Sequence, residues 1–234
     1  MRTAYGLAAL AGLATGRPLP ERMKLEARAV AIVDQDTGFT FSETQAAATL
    51  SSNIVYRIAT PANVPANQPY DVVVQVIAPN SLGWVGLAWG GSMIRNPLTV
   101  AYPNGQTPTV SSRWATGHST PAAYSGATYT ALNTGNKSNS THWQYTVKCT
   151  GCTIYTGSSG ATRIDPVSTK RLGFACATGK VSNPSSTTST IPVHDVYSYI
   201  THDFSAGANP NFAALLQRNG VSGGGTDTGN ATQV

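Results

Sequence analysis

The chain has 234 residues and a mass of 24.3 kDa, which is enough for one well-buried domain. Only 11% of its residues are charged, against roughly 25% in an average soluble domain. This composition excludes a coiled coil, a charged helical bundle and a charge-driven disordered chain. The net charge is +5, but five of the 15 basic and two of the 10 acidic residues lie within residues 1–30. No basic face with interleaved aromatic residues follows, so no nucleic-acid partner is expected.

The first residues have the composition of a secretory leader. Residues 1–16, MRTAYGLAALAGLATG, contain one arginine, a short apolar run and then small residues. We predict a signal peptide over 1–16 and a leader or pro-segment over 17–33, with small residues for cleavage at 14–16 or 27–29. The apolar run is too short to span a bilayer, so no membrane association is expected. The alternative is a mobile N-terminal arm of a cytosolic protein.

The C-terminal residues 219–234 end in SGGGTDTGNATQV, a Gly- and Thr-rich stretch without apolar periodicity. This composition predicts a flexible linker or tail. Three glycosylation sequons, at Asn136, Asn139 and Asn230, agree with a secreted, extracellular glycoprotein.

The chain contains three cysteines. Cys149 and Cys152 form a CxxC segment with strand-type residues on both sides, which favours a structural disulfide over a redox motif at a helix N-terminus. A zinc site needs about four ligands, and no second CxxC is present. Cys176 is expected to be a buried free thiol.

The residues from 34 to 218 predict a single antiparallel β-sandwich domain. Short β-type runs are separated by Gly, Pro and Asn turns at the spacing of a sandwich or barrel. Asp71–Ile77 is almost continuously apolar, which predicts a central strand buried on both faces. Only Asn211–Gln217 is typical of a helix, so we expect one short C-terminal helix. The other predicted strands are Asn53–Ala59, Trp84–Trp89, Leu98–Ala101, Ala127–Leu132, His142–Lys148 and Arg171–Ala177.

No catalytic residues are predicted. The sequence lacks a GxSxG elbow, a Walker loop and a GxGxxG fingerprint, and its few carboxylates give poor support for a paired-carboxylate glycosidase. Two potential ligands remain. Met93 follows Gly90 and Gly91, which would let a large flat group approach the backbone, and its thioether suits haem iron or copper(I). His194 is flanked by apolar and aromatic residues that could close a cofactor pocket. The alternatives are a core-filling methionine and a hydrogen-bonded, partly buried histidine.

Five segments together resemble a known family. They are GWVGLAWGGSM at 83–93, NPLTVAY at 96–102, SSRWATGH at 111–118, NSTHW at 139–143 and KCTGC at 148–152, and His194 with DFS at 203–205 follows in the same order. This pattern resembles the haem b cytochrome domain of fungal cellobiose dehydrogenase, which is related to DOMON modules. The resemblance implies an immunoglobulin-like β-sandwich that binds one haem b non-covalently near one end. Met93 and His194 would be the axial ligands of a six-coordinate iron.

The resemblance also implies contacts and a role. His118 occupies a position near a haem propionate, Arg113 is a further candidate to bind a propionate, and Arg95, two residues from Met93, could flank the haem edge. The implied function is single-electron transfer from a flavin dehydrogenase to an acceptor such as a copper polysaccharide monooxygenase. Since the chain has no flavin fingerprint, the dehydrogenase reaction is not assigned to it. The alternative is a carbohydrate-binding DOMON-type sandwich without a redox role, whose partner would be a polysaccharide.

Overall fold

The computed structural model describes residues 30–49 and 51–222. The predicted signal peptide, both cleavage positions, Asn230 and most of the predicted linker lie outside these residues. The described residues form sixteen strands, one 3-10 helix (Phe204–Gly207) and one α-helix, α1 (Phe212–Arg218). The strands are β1 (Val30–Val33), β2 (Thr40–Ala47), β3 (Asn53–Pro61), β4 (Val72–Pro79), β5 (Trp84–Ala88), β6 (Leu98–Tyr102), β7 (Thr109–Trp114), β8 (Ala122–Ala123), β9 (Thr128–Ala131), β10 (Lys137–Ser138), β11 (His142–Thr150), β12 (Ile154–Gly157), β13 (Gly160–Arg163), β14 (Thr169–Ala177), β15 (Val196–Asp203) and β16 (Ala208–Asn209).

The first sheet has the strand order β1-β2-β3-β4-β11-β10, with β9 paired to β11 and the short β16 parallel to β3. Its centre is β4, which is buried at seven of its eight positions, only Ile77 being partly exposed. The predicted central strand is therefore confirmed. Its run of valines suits a central position in the sheet, because a strand that is covered on both faces has no solvent-facing side that needs polar residues.

The second sheet has the order β15-β14-β5-β6-β7-β8, and all of its pairs are antiparallel. The two sheets pack face to face, and the hydroxyl of Tyr56 on β3 donates a hydrogen bond of 3.0 Å to the carbonyl of Gly86 on β5. Alternate residues of both sheets fill the space between them, as expected for a sandwich. The predicted fold class, an antiparallel β-sandwich with a short C-terminal helix, is confirmed.

The α-helix covers the outer face of the first sheet. Phe212, Leu215 and Leu216 form a buried cluster with Phe39 and Phe41. The side chain of Asn219, after the helix, donates to the carbonyls of Thr37 and Leu215 at 2.9 and 2.8 Å. The second sheet has no helix on its outer face among the described residues, and this face carries the candidate site.

The folded domain is wider than residues 34–218. β1 at 30–33 is an edge strand paired along its whole length with β2, and Val221 is buried in the cluster beneath α1. Cross-strand pairing and helix packing thus include residues that were assigned to the leader and the linker. No helix in the described part of the chain is long and apolar enough to cross a membrane.

The structure joins Cys149 and Cys152 in a disulfide at the end of β11. Cys176 is free and buried on the inner face of β14, and burial raises the pKa of its thiol to about 11. A thiol with this pKa stays protonated near neutrality, so Cys176 behaves as a small core residue.

Candidate functional site

A cavity of about 530 Å³ lies on the outer face of the second sheet. Strands β5, β6, β14 and β15 form its floor, and three loops, at 92–94, 118–121 and 191–194, form its walls. Its volume is in the usual range for a cofactor or small-ligand site. The cavity therefore faces away from the sandwich core and lies over a sheet face, whereas the resemblance implied a site near one end of the sandwich.

The alternation of side chains along the strands explains the cavity. On β14, Leu172 and Cys176 point into the core between the sheets, whereas Gly173 and Ala175 line the cavity. On β5, Gly86 and Ala88 line it in the same way. Because successive residues of a strand point to opposite faces, small residues at every second position lower one face only. The floor is therefore apolar and lowest at these small residues, while Trp84 of β5 and Leu98 and Val100 of β6 line it beside them.

The loop that carries Met93 is organised by Asn96, whose side chain is buried. Its carbonyl oxygen accepts a hydrogen bond of 2.8 Å from the backbone N–H of Gly90, and its amide donates to the carbonyls of Ser92 and Ile94 at 2.6 and 3.2 Å. These bonds satisfy backbone groups on both sides of Met93. The methionine is half-buried against the apolar cluster of the outer face.

Gly90 and Gly91 do not serve the purpose expected from the sequence. Neither residue lines the cavity. A Cβ atom on Gly90 would lie 2.7 Å from Cβ of Asn96, and one on Gly91, at φ +74°, would lie 2.8 Å from the carbonyl oxygen of Arg171. The glycine pair thus permits close packing within the protein. Gly86 and Gly173 do line the cavity, but a Cβ atom on Gly86 would lie 3.2 Å from the Trp84 ring and one on Gly173 would lie 3.2 Å from Cβ of Ala88, so they also permit close packing within the protein.

His194 ends a long loop between β14 and β15. Its half-buried ring lies 4.8 Å from the ring of Tyr197, centroid to centroid. The next residue, Asp195, fixes the end of the loop: its carboxylate accepts hydrogen bonds of 2.7 and 2.8 Å from the backbone N–H and hydroxyl of Thr178. These two hydrogen bonds lower the pKa of Asp195, and the bond from the backbone N–H has the larger effect. In the described residues no hydrogen bond engages the His194 ring, which leaves its nitrogens available to a ligand.

Met93, His118 and His194 line the same cavity, although they are far apart in the sequence. His118 is exposed on the loop that follows β7. The roles assigned to these three residues stay predictions, but the sandwich brings all of them to one place.

Arg113 and Arg95 do not line the cavity. Arg113 is 3% exposed, and its nitrogens donate to Ser111, Pro121 and Ser189, so it is neither a solvated strand residue nor a free partner for a propionate. Arg95 is exposed beside the cavity, at φ +55°, and its backbone N–H donates to the carbonyl of Ala115 at 2.8 Å.

The chemistry of the lining suits a cofactor in which a macrocycle already holds the metal. No carboxylate, cysteine, lysine or arginine lines the cavity, and the described residues contain no cluster of three or more metal-ligating His, Cys, Asp or Glu side chains. The thioether of Met93 and the imidazoles of His118 and His194 are together still fewer than the roughly four ligands that a bare ion needs. They suffice for an iron whose other positions are filled by a macrocycle, and the apolar floor fits a flat ring. The residues present therefore fit haem.

Sequence reasoning did not identify Asn96 or the recessed floor. The floor has a sequence signal, because small residues at 86, 88, 173 and 175 recur at a period of two within otherwise apolar strands. Asn96 has no such signal, since its role depends on the loop conformation around it.

A family model described as the cytochrome domain of cellobiose dehydrogenase matches residues 32–214. The chain belongs to this family. It is thus a cytochrome domain, of a family that binds haem and transfers electrons.

Two solved structures are similar in fold. One is the cytochrome b domain of pyranose dehydrogenase from Coprinopsis cinerea, with a TM-score of 0.71 and 28% identity over 84% of this chain and 99% of that domain. The other is the cytochrome domain of cellobiose dehydrogenase from Myriococcum thermophilum, with a TM-score of 0.72 and 21% identity over 82% of this chain and 96% of that domain.

Among curated proteins, a pyrroloquinoline quinone-dependent pyranose dehydrogenase from Coprinopsis cinerea is 42% identical over 82 residues. The match covers 35% of this chain and 11% of that relative, so the chain spans a small part of the relative's length.

Proposed function

We propose that this cytochrome domain is a secreted b-type cytochrome that holds one haem b non-covalently in the outer-face cavity, with Met93 and His194 as axial ligands. The observation that carries the proposal is that both residues line one cavity with an apolar floor. Haem b, when bound, supplies an iron centre that exchanges one electron at a time.

The residues around the cavity have distinct tasks. A neutral thioether and a neutral imidazole favour ferrous iron compared with thiolate ligation. If Met93 and His194 both bind the iron, no position would be left for oxygen or peroxide, and the cofactor would supply electron transfer and not group chemistry. The apolar floor, which includes Trp84, Leu98 and Val100 as well as glycine and alanine, would exclude water from one face of a bound ring. His118, exposed at the wall, can donate a hydrogen bond to a propionate.

The cavity mouth is where we propose that partners exchange electrons. Val193, Tyr197 and Tyr199 are 83%, 69% and 53% exposed there. The family supports a dehydrogenase as the electron donor. The donor class is a flavin dehydrogenase, or a quinone-dependent sugar dehydrogenase like the relative from Coprinopsis cinerea. A copper polysaccharide monooxygenase is the proposed acceptor.

The test is a haem titration of the purified protein, followed by absorption spectra before and after reduction with dithionite. We expect one equivalent to bind with a narrow Soret band and split α and β bands on reduction. Met93→Ala and His194→Ala should each lose this low-spin spectrum. The matched control is His142→Ala, since His142 lies at the start of β11 in the other sheet and should not contribute. Unchanged spectra in both ligand variants would contradict the assignment.

The exposed tyrosines also favour a second candidate function. Tyr197 and Tyr199 could stack on a sugar ring, as aromatic residues of carbohydrate-binding sandwiches do. A protein that retains no haem, but binds insoluble cellulose or a soluble oligosaccharide in a manner lost in Tyr199→Ala, would establish this alternative.

A further inference from the structure

Arg113 on β7 is a buried cation without a carboxylate partner in the part of the chain that the structure describes. Its Nε donates to the hydroxyl of Ser111 at 3.1 Å, Nη1 donates to the carbonyl of Pro121 at 3.2 Å, and Nη2 donates to the carbonyl of Ser189 at 2.7 Å. Burying a charge is costly unless its hydrogen bonds are made, so this three-way contact is what makes the position tolerable.

The two carbonyls belong to two different walls of the cavity. Pro121 ends the 118–121 loop, which also carries His118. Ser189 precedes the 191–194 segment, which carries His194. One planar guanidinium therefore ties both walls to β7 and to each other. A planar fork sets the separation of its two acceptors, which a single ammonium group cannot do.

The His194 loop needs such fastening. The eighteen residues from 178 to 195 contain no strand or helix, so no ladder of backbone hydrogen bonds fixes them along their length. The Thr178–Asp195 contact joins the two ends of the loop. Between these ends, three side chains of the second sheet donate hydrogen bonds to backbone carbonyls of the loop. Tyr102 donates to Ser186, Thr109 donates to Pro184 at 2.5 Å, and Arg113 donates to Ser189. Of the three donors only Arg113 is charged, and its acceptor, Ser189, is nearer to His194 along the chain than the other two acceptors are.

We infer that Arg113 is the positioning residue for His194: its guanidinium holds the histidine loop and the 118–121 loop at a fixed separation across the cavity. The inference rests on the proposed haem ligation for its functional consequence, but the fastening of the loops can be measured without haem. The contact acts through geometry, so the charge alone should not reproduce it.

The variants separate geometry from charge. Arg113→Lys keeps the charge but loses the fork, and Arg113→Met keeps a similar length of apolar stem but loses both. Tyr102→Phe removes a neutral contact from the same loop. The matched control is Arg163→Met, because Arg163 also donates to two backbone carbonyls, but these belong to Gln68 and Pro65, which are not part of the cavity walls.

The first measurement is amide hydrogen exchange of the haem-free protein. We expect Arg113→Lys and Arg113→Met to lose protection roughly tenfold or more at 183–194 and 115–121, as for the loss of a charged hydrogen bond, while β4 and β11 stay protected. Tyr102→Phe should loosen 183–194 less, and Arg163→Met should leave both segments unchanged. If Arg113→Met does not fold, Arg113→Lys decides the outcome.

The second measurement is the spectrum and haem release rate of the loaded protein. We expect both Arg113 variants to show a high-spin fraction and to release haem roughly tenfold faster or more. Wild-type exchange and release in Arg113→Lys would overturn the inference. A wild-type protein that binds no haem would contradict the proposed function instead, and the exchange data would still decide the role of Arg113.

Discussion

The two faces of the second sheet are built from the same strands and have opposite character. On the inner face, Leu172 and Phe174 of β14 pack into a buried core with Tyr56 of the opposite sheet. On the outer face of β14, Gly173 and Ala175 leave a recess. The period-two alternation of a strand thus lets one segment stabilise the fold and form a binding floor, because successive side chains point to opposite faces.

The outer faces of the two sheets differ as well. The first sheet is covered by α1, whereas loops around a cavity cover the second. Exposed apolar residues at the mouth, such as Val193 and Tyr197, fit a surface that a bound group would cover. The comparison places the larger buried cluster on the inner face and the cavity on the outer face, beside a smaller buried cluster that includes Trp84 and Leu98.

The largest expected effect is on the inner face. Leu172→Ala removes a side chain that is fully buried between the sheets and should lower the free energy of unfolding by about 2–5 kcal/mol. Urea denaturation of the haem-free protein measures this loss. A loss below about 1 kcal/mol would mean that the inner face does not provide the main stabilisation.

The next-largest expected effect is a pH-dependent change in the free energy of unfolding, and it arises from a histidine that contacts the other sheet. His202 on β15 is fully buried, and its Nδ1 lies 2.9 Å from the hydroxyl of Thr44 on β2. Burial lowers its pKa to about 4, and nearby Asp203 offsets part of that effect. Since the unfolded chain binds the proton first, the stability associated with His202 is complete above about pH 6.5 and is lost as the pH falls towards 4.

The loss at pH 4 should be on the order of 3 kcal/mol. His202→Gln should therefore show a flatter stability profile between pH 7 and pH 4 than the wild type. Parallel profiles for wild type and His202→Gln would show that this imidazole does not titrate with folding.

A smaller effect is expected from the loop of Met93. Asn96→Ala leaves the backbone groups of Gly90 and Ser92 without their partners and should cost about 1–3 kcal/mol. It should also weaken haem binding, because the loop loses its organising residue. The control is Asn80→Ala, which removes an exposed hydrogen bond to the carbonyl of Asn139. Equal effects of the two substitutions would contradict the role of Asn96.

The smallest effect on stability is expected on the outer face. Ala175→Leu fills part of the recess and should change the free energy of unfolding by less than about 1 kcal/mol. It should nevertheless weaken haem binding roughly tenfold or more, since the added side chain occupies the floor. Parallel denaturation and haem titrations test the separation of the two faces. A variant that is strongly destabilised, or that binds haem like the wild type, would contradict it.

The sequence predicts the elements whose signal is local. The valine run at 71–77 becomes the central strand β4, and Asn211–Gln217 becomes α1, one residue later. It also selected Met93 and His194, which line one cavity. The sequence does not predict a residue's role where that role depends on contacts between distant residues. Arg113, for example, donates a hydrogen bond to Ser189, which is 76 positions away. The edge strand β1 was missed as part of the domain for the same reason, because only its pairing with β2 shows where it belongs.

The central claim is that the outer-face cavity holds a haem whose two axial positions are both filled by the protein. The most direct measurement is the absorption spectrum of the dithionite-reduced, haem-loaded protein before and after exposure to carbon monoxide. The account predicts narrow, split α and β bands that carbon monoxide does not change. A spectrum that shifts on adding carbon monoxide would show an open axial position and contradict the ligation by Met93 and His194.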